Sequence, residues 1–440
     1  MKKQIGFALV PGFRNADVMA LEAILTFHPG NKIHYIAEKN GFVEGVSGYG
    51  FKSTCTFADA PQLDVLVIPE LSDSGVSDPA LQKFIQAQYQ ACTFVVGISS
   101  GVIALAKSGM INGKTVTADR SSLESLKTFD LTPVDKKSFV KDQKLITAGP
   151  STSAFEAGYY VMSQLRGKAL TKMLELNLEY NPTVCFDDIR QTELPQPGRA
   201  PLNIAVITPP NPYFPDVAGA IDVFSRLPGA KIHYVWKDKG EKKTILGPTI
   251  RSTMTFKECP QMDVLVVGAI TPNATVDEDL IAFYKKQAPG AKAVVGVCAG
   301  VFVAGAASLL ENRMSVTNFH MLGMLKNVGG HRHNTETISD GKYHTAGPAI
   351  GSYEIALQVV AQLMGRETAA YLEGHCLEYR PQPLFNMGTP RLAGKVRYGL
   401  SKLISTPLVV LYNPKVKRMY RKNRLNKTVQ GKAAPAGLMG

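Results

Sequence analysis

The chain has 440 residues, of which 45% are hydrophobic and 19% charged, too long for one core and too apolar for a disordered or small stapled protein. No run approaches the roughly 18 apolar residues of a membrane span, and six scattered cysteines without a Cys-x-x-Cys pair argue against a disulfide framework or a zinc site. The formal charge of +13 is uneven, because the twelve Lys and Arg within 391–440, with no Asp or Glu among them, leave residues 1–390 almost neutral.

From the N-terminus, Met1-Lys2-Lys3 leads into a short alternating strand at 4–10 with no secretory core, which predicts a cytoplasmic protein. A long-period repeat follows. Asp17, Pro29-Gly30, Lys32-Ile33-His34-Tyr35, Asp64-Val65-Leu66, Val95-Val96-Gly97 and Gly101 recur 199 residues later as Asp216, Pro228-Gly229, Lys231-Ile232-His233-Tyr234, Asp263-Val264-Leu265, Val294-Val295-Gly296 and Gly300. The match runs on to Leu178-Glu179-Tyr180 against Leu377-Glu378-Tyr379. A repeat of this size is a duplicated domain rather than a solenoid. The boundaries fall at 1–186 and 201–390, joined by a Pro-rich linker at 187–200 and followed by a basic tail at 391–440.

In the second copy the pattern predicts strands at 204–207, 232–236, 264–267 and 293–297, with helices at 217–226, 277–287, 302–310 and 352–364 and a hairpin turn at Asp340-Gly341. Continuous apolar strands between helices indicate a parallel sheet covered on both faces, with ligands at the carboxyl ends of its strands.

The run Gly296-Val297-Cys298-Ala299-Gly300 sets a cysteine between a strand and a helix, with glycines two residues to either side. That is a nucleophile-elbow pattern, in which a sharp turn lifts the side chain into the cleft. A helix N-terminus there is expected to lower the thiol pKa below its free value of about 8.5. The competing reading is a buried thiol that fills space. Asp216 follows the loop at 209–215 and is expected above the same sheet edge, as proton carrier, as N-cap, or as both. In the first copy the elbow position is Ser99, without an evident base, so that copy reads as catalytically silent, with Asp17 keeping the capping role.

With the repeat, the elbow and the early Asp in view, the chain resembles two fused members of the ThiJ/PfpI superfamily, of the class I glutamine amidotransferase-like fold. Leu227-Pro228-Gly229, Cys259-Pro260, the elbow and Leu377-Glu378-Tyr379 look most like its isonitrile hydratases. The resemblance implies two tandem flavodoxin-like three-layer α/β/α domains with mainly parallel sheets, plus the basic extension. It implies that the two copies pair within the chain, with a homodimer as the family's usual form. It further implies a cofactor-free, metal-free hydration of a small substrate, with Cys298 as nucleophile and Asp216 as its acid-base partner. Gly296, Ala299, Gly300, Gly268 and Ala269 would form the elbow and oxyanion region, and Asn318 and His320 are accessory candidates. Three departures stand out: Gly268-Ala269-Ile270 replaces Pro-Gly-Gly, Ala299 replaces a Thr, and Thr317-Asn318 lacks the following His. They keep open a ligand-sensing or reactive-cysteine role.

In the tail, residues 392–412 are rich in apolar side chains and precede a Lys/Arg cluster at 415–427. A packed extension with a solvated end at 433–440 is one expectation, and docking on an anionic membrane surface is another. Nucleic acid is disfavoured, with aromatic interleaving limited to Tyr420.

Overall fold

The computed structural model describes residues 2–189, 194, 196–199 and 201–432, with side chains as far as Leu425. Parts of the predicted linker and all of residues 433–440 lie outside the described residues.

Each copy builds one seven-stranded sheet. In the first, the order is Phe139–Asp142, Leu145–Ala148, Phe94–Ile98, Val65–Ile68, Lys3–Ala8, Asn31–Ala37 and Cys55–Thr56. In the second, it is Met254–Thr255, Lys231–Trp236, Asn203–Ile207, Val264–Val267, Ala293–Val297, Tyr343–Ala346 and Thr337–Asp340. Every ladder in the second sheet is parallel except the last. That exception is the predicted hairpin, turned by Gly341 at φ 62°. The central strands Val-Leu-Val-Val and Ala-Val-Val-Gly-Val are wholly buried, as helices on both faces require. The helix expected at 302–310 is shorter, Val301–Ala306, because the chain turns through a left-handed Ser308 at φ 59°.

The two domains share an extensive contact. Helices Asn15–Leu25 and Pro215–Ser225 pack on one another. Strands from both copies form one small antiparallel sheet, in the order Glu241–Lys243, Thr249–Arg251, Gly50–Lys52, Phe42–Glu44. The Tyr49 and Tyr234 rings lie 3.9 Å apart, and Tyr234 donates to Ser47 Oγ at 2.8 Å. Each copy also sends an arm to the other. The Thr183 amide donates to Glu354 at 2.7 Å and the Phe186 amide to Glu373 at 3.0 Å, while the Phe385 and Met387 amides both donate to Glu175 at 3.0 Å. Where the arms cross, Gly388 lies so close that a Cβ would be 2.1 Å from the Tyr180 carbonyl oxygen. This exchange carries Glu179, at the base of the first arm, into the second domain.

The basic tail is a helix, Pro390–Lys432, broken at Gly394 (φ 78°). It docks on Val301–Ala306, Leu322–Val328 and Pro272–Thr275 of the second domain and on Lys168–Asn177 of the first. Among the described residues no helix is long and apolar enough to cross a membrane.

Candidate active site

Cys298 ends the strand Ala293–Val297 in a left-handed conformation, φ 55°, which costs an L-residue about 1–2 kcal/mol. The flanking glycines explain how the strain is held. A Cβ on Gly300 would lie 2.3 Å from the Val267 carbonyl oxygen, and one on Gly296 would lie 2.8 Å from the Val301 Cα. Strand, turn and helix therefore approach too closely for any larger residue, and Cys298 is held half-buried at the carboxyl end of its strand.

The surroundings of the thiol are specific. Asn318 Nδ2 donates to Cys298 Sγ at 3.4 Å, and Thr317 Oγ1 donates to the Cys298 carbonyl at 2.6 Å. The Ala299 amide and the Asp216 carboxylate lie close enough to the sulfur to act on its ionisation. Contrary to expectation, the thiol pKa is pushed well up. Burial is the first cause, and the carboxylates of Asp216 and Glu179 add to it, outweighing the Asn318 and Ala299 contacts. The helix beginning here has only six residues, so its dipole is weak against two nearby carboxylates.

Asp216 sits in the first turn of Pro215–Ser225, fully buried. Its carboxylate does not cap that helix. It accepts the amides of Ala269 at 3.1 Å and Ala349 at 2.9 Å, the latter aimed by a left-handed backbone at φ 47°. Burial raises its pKa to about 7, with the two amides and the thiol pulling the other way. Asp216 is therefore poised to hold or release a proton near neutrality.

Two expectations are corrected. The Ala269 amide is consumed by Asp216, so it is not an open oxyanion donor. Gly268 serves instead as a point of close approach, since a Cβ there would be 2.7 Å from that of Asp216. His320 is not in the site: its Nε2 pairs with Ser401 Oγ of the tail helix at 3.0 Å, and its ring packs on Phe319. Burial and Lys402 lower its pKa to about 4. The turn in which the Met321 amide donates to the Asn318 side chain at 3.1 Å keeps Asn318 on the sulfur and leads residue 320 to the tail.

Sequence reasoning missed three neighbours. Glu179, from the first domain, accepts the Phe319 amide at 2.9 Å, and its own pKa is raised by burial and by the charges of Asp216 and Glu336. Its signal was present in the repeated Leu-Glu-Tyr triplet. Tyr213 is held beside the site by its amide, which donates to the Ala269 carbonyl at 2.8 Å. Tyr412 of the tail helix is buried over the second domain, beside Thr275 and close enough to Cys298 and Asp216 to feel their charges.

The first domain repeats the elbow backbone with a serine in place of the cysteine. Ser99 is left-handed at φ 48° and fully buried, and its Oγ has no hydrogen-bond partner among the described residues. Asp17, expected to cap its helix, instead accepts the Glu70 amide at 2.9 Å. Arg14 stands where Tyr213 stands in the second copy, and it pairs with Glu70 at 2.6 Å and with Asp222 of the second domain at 3.4 Å. The Arg14 and Arg226 guanidiniums hold the Glu70 carboxyl down at about 2 despite its burial. This part of the first copy has become an ion network joining the two domains.

A strained elbow cysteine beside a buried carboxyl, above a mainly parallel sheet present twice, defines a tandem α/β protein with a cysteine at one elbow and a serine at the other. The DJ-1/PfpI family profile matches residues 3–164 and 212–362, and the chain belongs to that family. It is 33% identical to the isonitrile hydratase of Pseudomonas putida over 180 residues, 40% of this chain and 78% of that protein. Similar solved structures include a ThiJ/PfpI family protein from Pseudomonas syringae, at 24% identity and TM-score 0.48, covering 54% of this chain and 98% of the other. Drosophila melanogaster DJ-1beta aligns at 22% identity and TM-score 0.37, covering 40% and 96%.

Proposed function

We propose that the second domain is a cysteine-dependent hydratase of a small isonitrile, R–N≡C. The observation that carries this reading is the left-handed elbow Cys298 beside a buried Asp216 whose pKa is raised to about 7. A carboxylate of that basicity takes the thiol proton as sulfur adds to the terminal carbon, and it then delivers the proton to that carbon. The product is a covalent thioimidate, R–N=CH–S–Cys298. Water adds to the same carbon, one of its protons passing through Asp216 to nitrogen. Collapse then expels the Cys298 sulfur and releases R–NH–CHO. The net change is R–NC plus water to the N-substituted formamide, with thiol and carboxyl restored. A neutral resting thiol suits this course, because the carbon needs the proton that the sulfur gives up. Asn318 and the Ala299 amide steady the sulfur as it ionises, and Glu179 fixes the Phe319 backbone beside it. The first domain acts as an intramolecular pairing partner without turnover of its own.

The test is formamide production from a small alkyl isonitrile, followed by NMR. Wild type is expected to turn over, Cys298→Ala to lose activity completely, and Asp216→Asn to lose about two to four orders of magnitude. An inactive wild type whose Cys298 still reacts rapidly with an electrophile would move the site to the reactive-cysteine reading. An inert Cys298 would favour ligand sensing.

A further inference from the structure

Nine of the thirteen large hydrophobic residues exposed among the described residues lie on the C-terminal helix. At 3.6 residues per turn, Val396, Leu400, Leu403, Ile404, Val410 and Leu411 fall within about 120° of arc. The opposite face carries Ser401, Tyr412, Val416 and Tyr420, all buried against the body. The helix thus has two faces, one satisfied by the body of the protein and one without a partner among the described residues. The outward face is strongly apolar: Val396 is 86% exposed, Leu403 71% and Ile404 59%.

About two turns further on, the same outward arc becomes basic. Arg418 and Arg421 are exposed and make no ion pair with any described carboxylate, whereas Lys422 is tied to Glu278 at 2.6 Å. Lys395 and Lys402 flank the apolar row, also exposed and without a described ion-pair partner. No acidic residue occurs anywhere in 391–440.

We infer that this face docks on an anionic lipid bilayer, its apolar row entering the interface and its Lys and Arg meeting the headgroups. The charge pattern selects this occupant. A second copy of the chain would bring the same cationic row against itself, whereas an anionic bilayer supplies both an apolar interior and neutralising charge. The helix is too polar to span, and its inner face is already anchored, by Lys285 Nζ to Asn423 Oδ1 at 2.6 Å and by Asn423 Nδ2 to the Ala306 carbonyl at 2.8 Å. It therefore lies flat, and the bilayer would rest against the element that carries Tyr412 over the second domain.

Flotation of the full-length protein with vesicles tests this, using phosphatidylcholine alone and phosphatidylcholine mixed with phosphatidylserine. Partition is expected only with the anionic lipid, and it should weaken as salt rises from about 0.1 to 1 M, which shortens the screening length from about 10 to 3 Å. Arg418→Gln with Arg421→Gln is expected to lower partition about 25-fold, and Leu403→Ser with Ile404→Ser at least about tenfold. All four side chains are exposed, so unchanged thermal unfolding is expected of both variants. Equal binding to both vesicles, or none, would overturn the proposal. So would a wild-type dimer in sedimentation that Leu403→Ser with Ile404→Ser turns into a monomer, since a second copy would then own the face.

Discussion

The Glu179 carboxylate of the first domain accepts the Phe319 amide of the second at 2.9 Å, across 140 residues of sequence. A carboxylate from the first copy thus shapes the backbone beside the elbow cysteine of the other. Its counterpart Glu378 makes the mirrored contact with the Arg120 amide at 2.7 Å. The duplicated domains therefore need one another at the level of single side chains.

Substitution at Glu179 separates its two effects. Glu179→Gln keeps the acceptor for Phe319 and removes the charge that opposes thiolate formation. Alkylation of Cys298 above neutral pH should quicken, by up to about tenfold for one unit of pKa. Glu179→Ala leaves the part-buried Phe319 amide unpaired and should cost about 1 kcal/mol in urea unfolding.

The elbow tolerates nothing larger than glycine at position 300. Gly300→Ala forces a Cβ to within 2.3 Å of one carbonyl oxygen and 2.5 Å of another. It is expected to destabilise by about 1–3 kcal/mol and to abolish rapid labelling of Cys298. Gly399→Ala meets nothing within 4 Å and provides the matched control in the same unfolding assay.

Buried carboxyls give the protein a distinctive alkaline weakness. Glu22, fully buried and hydrogen-bonded by the Tyr35 hydroxyl, has its carboxyl pushed from 4.5 up to about 8 by burial. A carboxyl that binds its proton more tightly when folded stabilises fully below its unfolded pKa, and that contribution is lost as pH rises through the folded one. Glu156, Glu354 and Asp216 share the sign, at about 7, 8 and 7. Glu70 acts oppositely, but only as pH falls from 4.5 toward 2. The depressed His320 and His344 act only below about 6.5. Between pH 6.5 and 8, Glu22→Gln should therefore flatten the decline in unfolding free energy by up to about 1.4 kcal/mol per pH unit, falling to about half that at the folded pKa.

The readable parts of the sequence were those with local causes. Apolar runs such as Val264–Val267 could only be buried parallel strands, and the glycines around Cys298 marked a close turn. The Asp216–Cys298 pairing followed from both lying at the carboxyl edge of one sheet. What stayed hidden depended on contacts remote in sequence. Nothing local to Leu-Glu-Tyr says that an exchanged arm will carry Glu179 across to Phe319. Nothing local to residues 390–432 says that a basic helix will bury Tyr412 over the second domain. The thiol pKa went the wrong way for the same reason: a helix N-terminus is visible in sequence, while the burial and the second carboxylate that outweigh it are tertiary.

The pH dependence of Cys298 alkylation by iodoacetamide, in wild type and in Asp216→Asn, tests the thiol–carboxyl pair most directly. The expected result is a wild-type rate that climbs through an inflection near pH 7, as Asp216 loses its proton and becomes a base for the thiol. In Asp216→Asn that inflection should vanish, and the neutral-pH rate should fall by at least about tenfold. Superimposable profiles for the two proteins, rising only with the thiol's own ionisation, would contradict the account.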